Sequence, residues 1–141
     1  MKKFNHVIVR RPCKAMVEGI TSGLYPGKPD YELALKEHDD YIEALKQCDV
    51  DVTVLEADER YPDSCFVEDP ALITRKCAII TNPGAESRNG EKDEIIDAVR
   101  KFFDEDHIEY IKAPGTLEGG DVMMVGDHFY VGRSARTNEE G

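Results

Sequence analysis

The sequence predicts an α/β fold assembled from repeated hairpin, helix and strand units that form part of a larger closed architecture. Three observations predict it: short β-rich runs recur, two stretches between them carry apolar residues at helical spacing, and the order hairpin, helix, strand begins a second time late in the chain. A unit of this kind does not cover its own apolar face, so neighbouring units are expected to complete the core. A complete three-layer α+β domain is the alternative.

The first strand is expected over 4–9, where His6-Val7-Ile8-Val9 precedes Arg10-Arg11-Pro12 and the proline ends the run. A loop containing Gly19, Gly23, Pro26, Gly27 and Pro29 follows. Asp30 can then cap a helix over about 31–48 whose Ala34, His38, Tyr41, Leu45 and Cys48 share one face. Asp51 to Leu55 alternates with period two and reads as a half-buried strand. After a turn-rich loop to Pro62-Asp63, β-rich runs at 66–74 and 77–81 flank Arg75-Lys76 and predict a hairpin. Asn82-Pro83-Gly84 breaks it, and Ile95, Ile96, Val99, Phe102 and Phe103 recur at helical spacing before a short strand over 108–111. A second hairpin is expected at 121–125 and 128–131, turned by Gly126-Asp127. Thr137 or Asn138 is placed to cap a further helix with Glu139 and Glu140 in its first turn. On this reading the 141 residues stop inside a repeat.

Composition narrows the function classes. A chain of 141 residues, 40% hydrophobic and 33% charged, suits one soluble domain, and no long apolar segment suggests a signal peptide or membrane span, so a cytoplasmic protein is expected. The formal net charge of −11 disfavours nucleic acid and anionic membranes as partners; it is compatible with a cationic substrate, but acidity that serves only solubility is the plainer reading. Cys13, Cys48, Cys65 and Cys77 lie far apart without a C-x-x-C pair, and His6, His38, His107 and His128 show no paired metal-ligand spacing. Reduced, mostly packed thiols and no metal are therefore expected. Cys65 adjoins carboxylates that would raise its pKa, which makes it a poor nucleophile.

Two segments concentrate polar chemistry. Pro62-Asp63-Ser64-Cys65-Phe66-Val67-Glu68-Asp69-Pro70 places three carboxylates around an aromatic; on a strand, Phe66 and Glu68 would face one side and Val67 and Asp69 the other. A carboxylate in an apolar strand needs a partner, and a guanidinium offers five donors in a flat fork. Solvated acids on a turn are the plainer alternative. Thr116-Leu117-Glu118-Gly119-Gly120-Asp121 can present Glu118 into a cleft, and Arg88 and Arg136 sit in loops from which either could grip a carboxylate. An ordinary Gly-Gly turn and solvated arginines remain open readings of these residues.

Taken together, the blocks Pro62-Asp63-Ser-Cys-Phe66-Val-Glu68-Asp69, Thr81-Asn-Pro83-Gly84-Ala-Glu-Ser87-Arg88, Leu117-Glu118-Gly-Gly-Asp121-Val and Ser134-Ala-Arg136-Thr137-Asn138 resemble the dimethylarginine dimethylaminohydrolases, especially their bacterial members. The resemblance covers essentially the whole chain but about the front half of the family's length. It implies the pentein fold, a five-bladed α/β propeller around a polar channel, of which these residues would be a partial, N-terminal portion of a single catalytic domain. It also implies hydrolysis of methylated arginine to citrulline plus methylamine or dimethylamine through a covalent cysteine intermediate, with no metal or cofactor. Carried over by position, Asp63, Glu68 and Asp69 would grip the substrate guanidinium and amine, Phe66 would pack along its aliphatic stem, and Arg88 and Arg136 would pair with its carboxylate. Glu118 would orient the catalytic histidine. Ile20 stands where the family usually has leucine on a lid. The nucleophilic cysteine and the histidine belong to the portion not covered, so the chain alone is expected to be inactive, and its uncovered strand edges predict self-association. The alternatives are an inactive fragment that binds arginine-like cations or serves structurally, and a relative of the arginine or agmatine deiminases.

Overall fold

The structure, a computed structural model, describes residues 4–21 and 27–141. Met1 to Lys3, and Ser22, Gly23 and Pro26 of the expected first loop, lie outside the described residues. The fold is α/β, and the chain divides into two compact units, Met1–Phe66 and Val67–Gly141.

In the first unit, β1 (His6–Arg10) and β2 (Asp51–Leu55) pair in parallel, from His6 opposite Asp51 to Arg10 opposite Leu55. Parallel neighbours need a long crossover, and α1 (Tyr31–Gln47) lies within it. Asp30 starts α1 as expected: its carboxylate accepts the Leu33 N–H at 3.0 Å, satisfying one of the free donors of the first turn. Of the expected apolar face, Ala34, His38 and Leu45 are half-buried, but Tyr41 and Cys48 are not part of it. Ile42 is the buried residue of the helix, flanked by half-buried Leu35, His38 and Leu45, whereas Tyr41 is 53% exposed and Cys48 is exposed. A 35-38-42-45 stripe satisfies the helical period as well as 34-38-41-45, and the phenol of Tyr41 prefers the wet edge. In β2 the alternation is imperfect, because Thr53 is half-buried and its hydroxyl bonds His6 Nε2 across the pair at 2.8 Å.

In the second unit, β3 (Ala71–Ile73) and β4 (Ala78–Ile80) form the expected hairpin, closed where Thr74 N–H donates to Cys77 O at 2.9 Å. The Thr74 hydroxyl accepts the N–H groups of Lys76 and Cys77, a side-chain mimic of a backbone turn. The next helix, α2 (Glu91–Val99), carries the chain to β5 (Ile108–Tyr110), which pairs in parallel with β4. Ile80, Ile95, Val99, Ile108 and Leu117 form its core. Phe102 and Phe103 lie beyond the end of α2, and Phe102 is 44% exposed. A second hairpin of β6 (Val122–Val125) and β7 (His128–Val131) turns at Gly126-Asp127, where Gly126 has φ +64 and so takes the left-handed conformation.

Two expectations are corrected. The strand expected over 66–74 is confined to Ala71–Ile73, and Val67 to Pro70 form turns. Pro70 has no N–H, and the carbonyls of Asp69 and Pro70 accept from Thr81 and Gly119 rather than from a ladder. Phe66 and Glu68 are nonetheless exposed and Asp69 buried, so consecutive turns reproduce the alternation that a strand would have made. The helix expected after Thr137 or Asn138 is absent from 134–141. Both side chains are committed elsewhere, as described below. Among the described residues no helix is long and apolar enough to cross a membrane.

Candidate functional site

In the first unit Asp63 is the organising residue. It is buried, and both its carboxylate oxygens lie within 3.1–3.2 Å of the Ile20 N–H. This closeness demands glycine at position 19, since a Cβ there would stand 2.6 Å from Asp63 Oδ1. Phe66, 50% exposed, and Ile20, 53% exposed, leave apolar surface open beside it. Met16, Ile20, Lys28, Asp63, Cys65 and Phe66 all line a pocket of ≈ 650 Å³. A mainly apolar concavity with one buried carboxylate suits an extended ligand that ends in a cationic or amide nitrogen.

In the second unit five charged side chains are linked. Arg88, 3% exposed, donates Nε and Nη2 to Glu91 Oε1 and Oε2 at 2.9 and 2.7 Å, and Nη1 to Asp69 Oδ2. Asp69 Oδ1 accepts the Gly120 N–H at 2.8 Å, and its main-chain carbonyl accepts Thr81 Oγ1 and Gly119 N–H. Gly119 is obligatory here, because a Cβ would lie 1.9 Å from the Glu68 carbonyl oxygen. Asp69 thereby ties the end of its own turn to the Gly119-Gly120 backbone that follows Glu118.

Glu118 is 1% exposed. Arg136 Nη1 lies 2.8 Å from its Oε2, yet neither carboxylate oxygen receives an aligned hydrogen bond, so the contact is ionic. Burial raises the Glu118 pKa above the ordinary glutamate value, with Asp69 adding to the rise; Arg136, Arg88 and the Ala85 backbone oppose it. Fully ionised, Asp69, Glu91 and Glu118 face Arg88 and Arg136, which leaves one negative charge uncompensated. Such a carboxylate is poised to accept a further cationic donor.

The structure thus brings Asp69, Arg88, Glu118 and Arg136 into one network and places Asp63, Phe66 and Ile20 around one pocket. The Glu68 side chain is exposed. The two arginines differ: Arg136 is half-exposed, whereas Arg88 has its fork filled by Asp69 and Glu91. Sequence reasoning missed Glu91. Its signal was the i, i+3 spacing from Arg88 at a helix start, where an acidic residue also favours the helix dipole. Thr137 was expected as a helix cap, but its hydroxyl accepts the Glu118 N–H at 3.1 Å.

A model of the family described as N,N dimethylarginine dimethylhydrolase, eukaryotic, matches residues 27–141. The chain is 59% identical over 138 residues to the N(G),N(G)-dimethylarginine dimethylaminohydrolase of Pseudomonas aeruginosa, covering 98% of this chain and 54% of that protein. It is 40% identical to the enzyme of the same name from Streptomyces coelicolor, over 95% of this chain and 51% of that one. A solved structure of the Pseudomonas aeruginosa protein, a cysteine-to-serine variant complexed with citrulline, superposes with a TM-score of 0.94 at 59% identity, over 98% of this chain and 53% of that chain. The N-terminal domain of a cyanobacterial arginine dihydrolase shares the fold, with a TM-score of 0.80 at 15% identity. The chain spans about half the length of the dimethylaminohydrolases it matches.

Proposed function

Because the chain belongs to the dimethylarginine dimethylaminohydrolase family, we propose that it supplies the guanidine-recognising part of an enzyme that hydrolyses methylated arginine to citrulline and methylamine or dimethylamine. In that reaction a cysteine thiolate attacks the guanidinium carbon, the C–N bond to the methylated nitrogen breaks, and the amine leaves with a proton. Water then adds to the thiouronium carbon, the C–S bond breaks, and citrulline departs. No cofactor is needed.

The observation that carries this reading is Glu118: a carboxylate with almost no solvent exposure and no aligned hydrogen-bond donor. A buried carboxylate of this kind suits a histidine that must carry a proton, whose imidazolium it orients and stabilises. The proposed histidine and nucleophilic cysteine lie in the half of the family's length that these residues do not span. Cys13 is a poor candidate. Burial and Glu59 raise the pKa of Cys13, which disfavours its thiolate.

The proposed substrate roles are those the family resemblance implies for these positions. Asp63 takes the substrate amine, Phe66 and Ile20 pack on its aliphatic stem, and Glu68 and Asp69 receive the guanidinium. Arg136, half-exposed, takes the carboxylate. For Arg88 to join, it would have to give up Glu91, so its proposed part is to hold Asp69 in place.

A chimaera tests this: the 141 residues replace the matching segment of the Pseudomonas aeruginosa relative. Citrulline release from dimethylarginine is expected, with arginine and agmatine turned over more slowly. A folded chimaera without turnover would leave only the binding or structural reading, and faster turnover of arginine or agmatine would point to a deiminase. Citrulline formed by the 141 residues alone would overturn the assignment of the nucleophile to the other half.

A further inference from the structure

Asp121, immediately after the Glu118-Gly119-Gly120 turn, has a carboxylate whose use is unexplained by ligand recognition. Its Oδ2 accepts two hydroxyl protons, from Ser134 Oγ at 2.7 Å and Thr137 Oγ1 at 2.6 Å. A hydroxyl has one proton to give, so every other bond to these two oxygens must be one that they accept. Thr137 Oγ1 is left with lone pairs and accepts the Glu118 N–H at 3.1 Å. Ser134 Oγ likewise accepts the N–H groups of Arg136 and Thr137, at 3.0 and 3.1 Å. One carboxylate thus polarises two hydroxyls, one directed at Glu118 and one at the backbone that carries Arg136.

The rest of the loop is fastened in parallel. Asn138 N–H donates to Thr116 O at 3.1 Å, and its Oδ1 accepts Thr116 N–H at 2.9 Å. Position 84 requires glycine for the same approach, since a Cβ there would lie 2.5 Å from the Arg136 carbonyl oxygen. Thr137 is buried like Glu118, so no water competes for its hydroxyl. Hydrogen-bonded networks in such surroundings hold groups in place more firmly than the separate bonds would.

We infer that Thr137 and Asp121 are positioning residues for Glu118: the Asp121 carboxylate orients the Thr137 hydroxyl, and that hydroxyl fixes the backbone from which the Glu118 side chain enters the interior. The same carboxylate, through Ser134, presents Arg136 to Glu118. This role rests on reading Glu118 as the acid of the site.

The test is the titration of the Glu118 carboxyl carbon by NMR in the 141-residue chain, without ligand, for the parent, Thr137→Val and Thr137→Ser. Valine keeps the shape of threonine without its hydroxyl, and serine keeps the hydroxyl. Thr137→Val is expected to lower the Glu118 midpoint towards the ordinary glutamate value, because a released backbone lets the carboxylate reach water. Thr137→Ser is expected to titrate like the parent. If Thr137→Val does not fold, Thr137→Ala, which also lacks the hydroxyl and leaves every charge in place, takes its place with the same expected direction. An unshifted midpoint in the folded variant, or an equal shift in Thr137→Ser, overturns the inference. With no substrate in the experiment, that failure leaves the substrate reading to the chimaera.

Discussion

Arg88 and Glu91 form a two-pronged pair at the start of α2, Nε to Oε1 at 2.9 Å and Nη2 to Oε2 at 2.7 Å, with each side chain 3% exposed. Burial works against the guanidinium charge, but the hydrogen bonds that Arg88 donates to Glu91 and Asp69 more than offset it and hold Arg88 protonated beyond its ordinary range. The third prong reaches Asp69, so one guanidinium couples a helix start to the turn before β3.

Removing Arg88 would strand two buried carboxylates. Arg88→Ala is expected to cost about 3–5 kcal/mol, as breaking a buried ion pair does. Glu91→Gln leaves the charges on Arg88 and Asp69 balanced and is expected to cost about 1–3 kcal/mol. Urea unfolding at neutral pH measures both; equal losses would mean that Asp69 does not share the guanidinium.

The raised pKa of Glu118 has a defined sign for stability. The folded state favours the protonated acid, so ionisation destabilises the fold as pH rises through the raised value, and this penalty is absent below the ordinary value of 4.5. Glu118→Gln should therefore unfold with the parent near about pH 4 and gain on it towards neutrality, by about 1–3 kcal/mol, the penalty of an unsatisfied buried group. Thermal unfolding against pH reads this. A gain that is the same at every pH would sink it.

Gly119→Ala places a methyl 1.9 Å from the Glu68 carbonyl oxygen, a backbone atom that cannot swing away. A loss of about 1–3 kcal/mol or more is expected from overpacking. Gly27→Ala meets nothing within 4 Å and should change stability by less than about 0.5 kcal/mol. The two variants measured together separate steric demand from a general effect of replacing glycine.

At the start of α1, Asp30→Ala removes the acceptor of the Leu33 N–H and should cost about 0.5–2 kcal/mol. Asp30→Ser, which keeps a capping oxygen, should recover most of it. Circular dichroism during thermal unfolding follows both.

What was legible in the sequence had local causes. Asp30 as a cap, the β3–β4 hairpin over Thr74 to Cys77 and the Gly126-Asp127 turn each depend on residues within a few positions, and each formed where expected. The face of α1 was ambiguous because Tyr41 and Ile42 both fit the helical period, and only packing chose Ile42. Phe66 to Pro70 looked like a strand because its alternation is real, but Thr81 and Gly119, distant in sequence, supply its partners. At the site, the motif residues were visible as types. Their commitments were not: that Arg88 faces inward to Glu91, or that Glu118 hangs from Thr137, depends on loops brought together by β4 and the Asn82–Leu117 bridge.

Among the described residues the β6–β7 ribbon pairs only with itself in the strand ladder, and Met123, Val125, Phe129 and Tyr130 are exposed along it. A two-stranded ribbon with this little cover opens easily, from the Gly126 end inward. The opening meets Asp121, whose carbonyl accepts Gly132 N–H at 2.8 Å while its carboxylate holds Ser134 and Thr137. Asp121 is therefore a kinetic boundary. Fraying that stops short of Gly132 leaves the Asp121 carboxylate and its two hydroxyls in place, and fraying that passes it reaches both together.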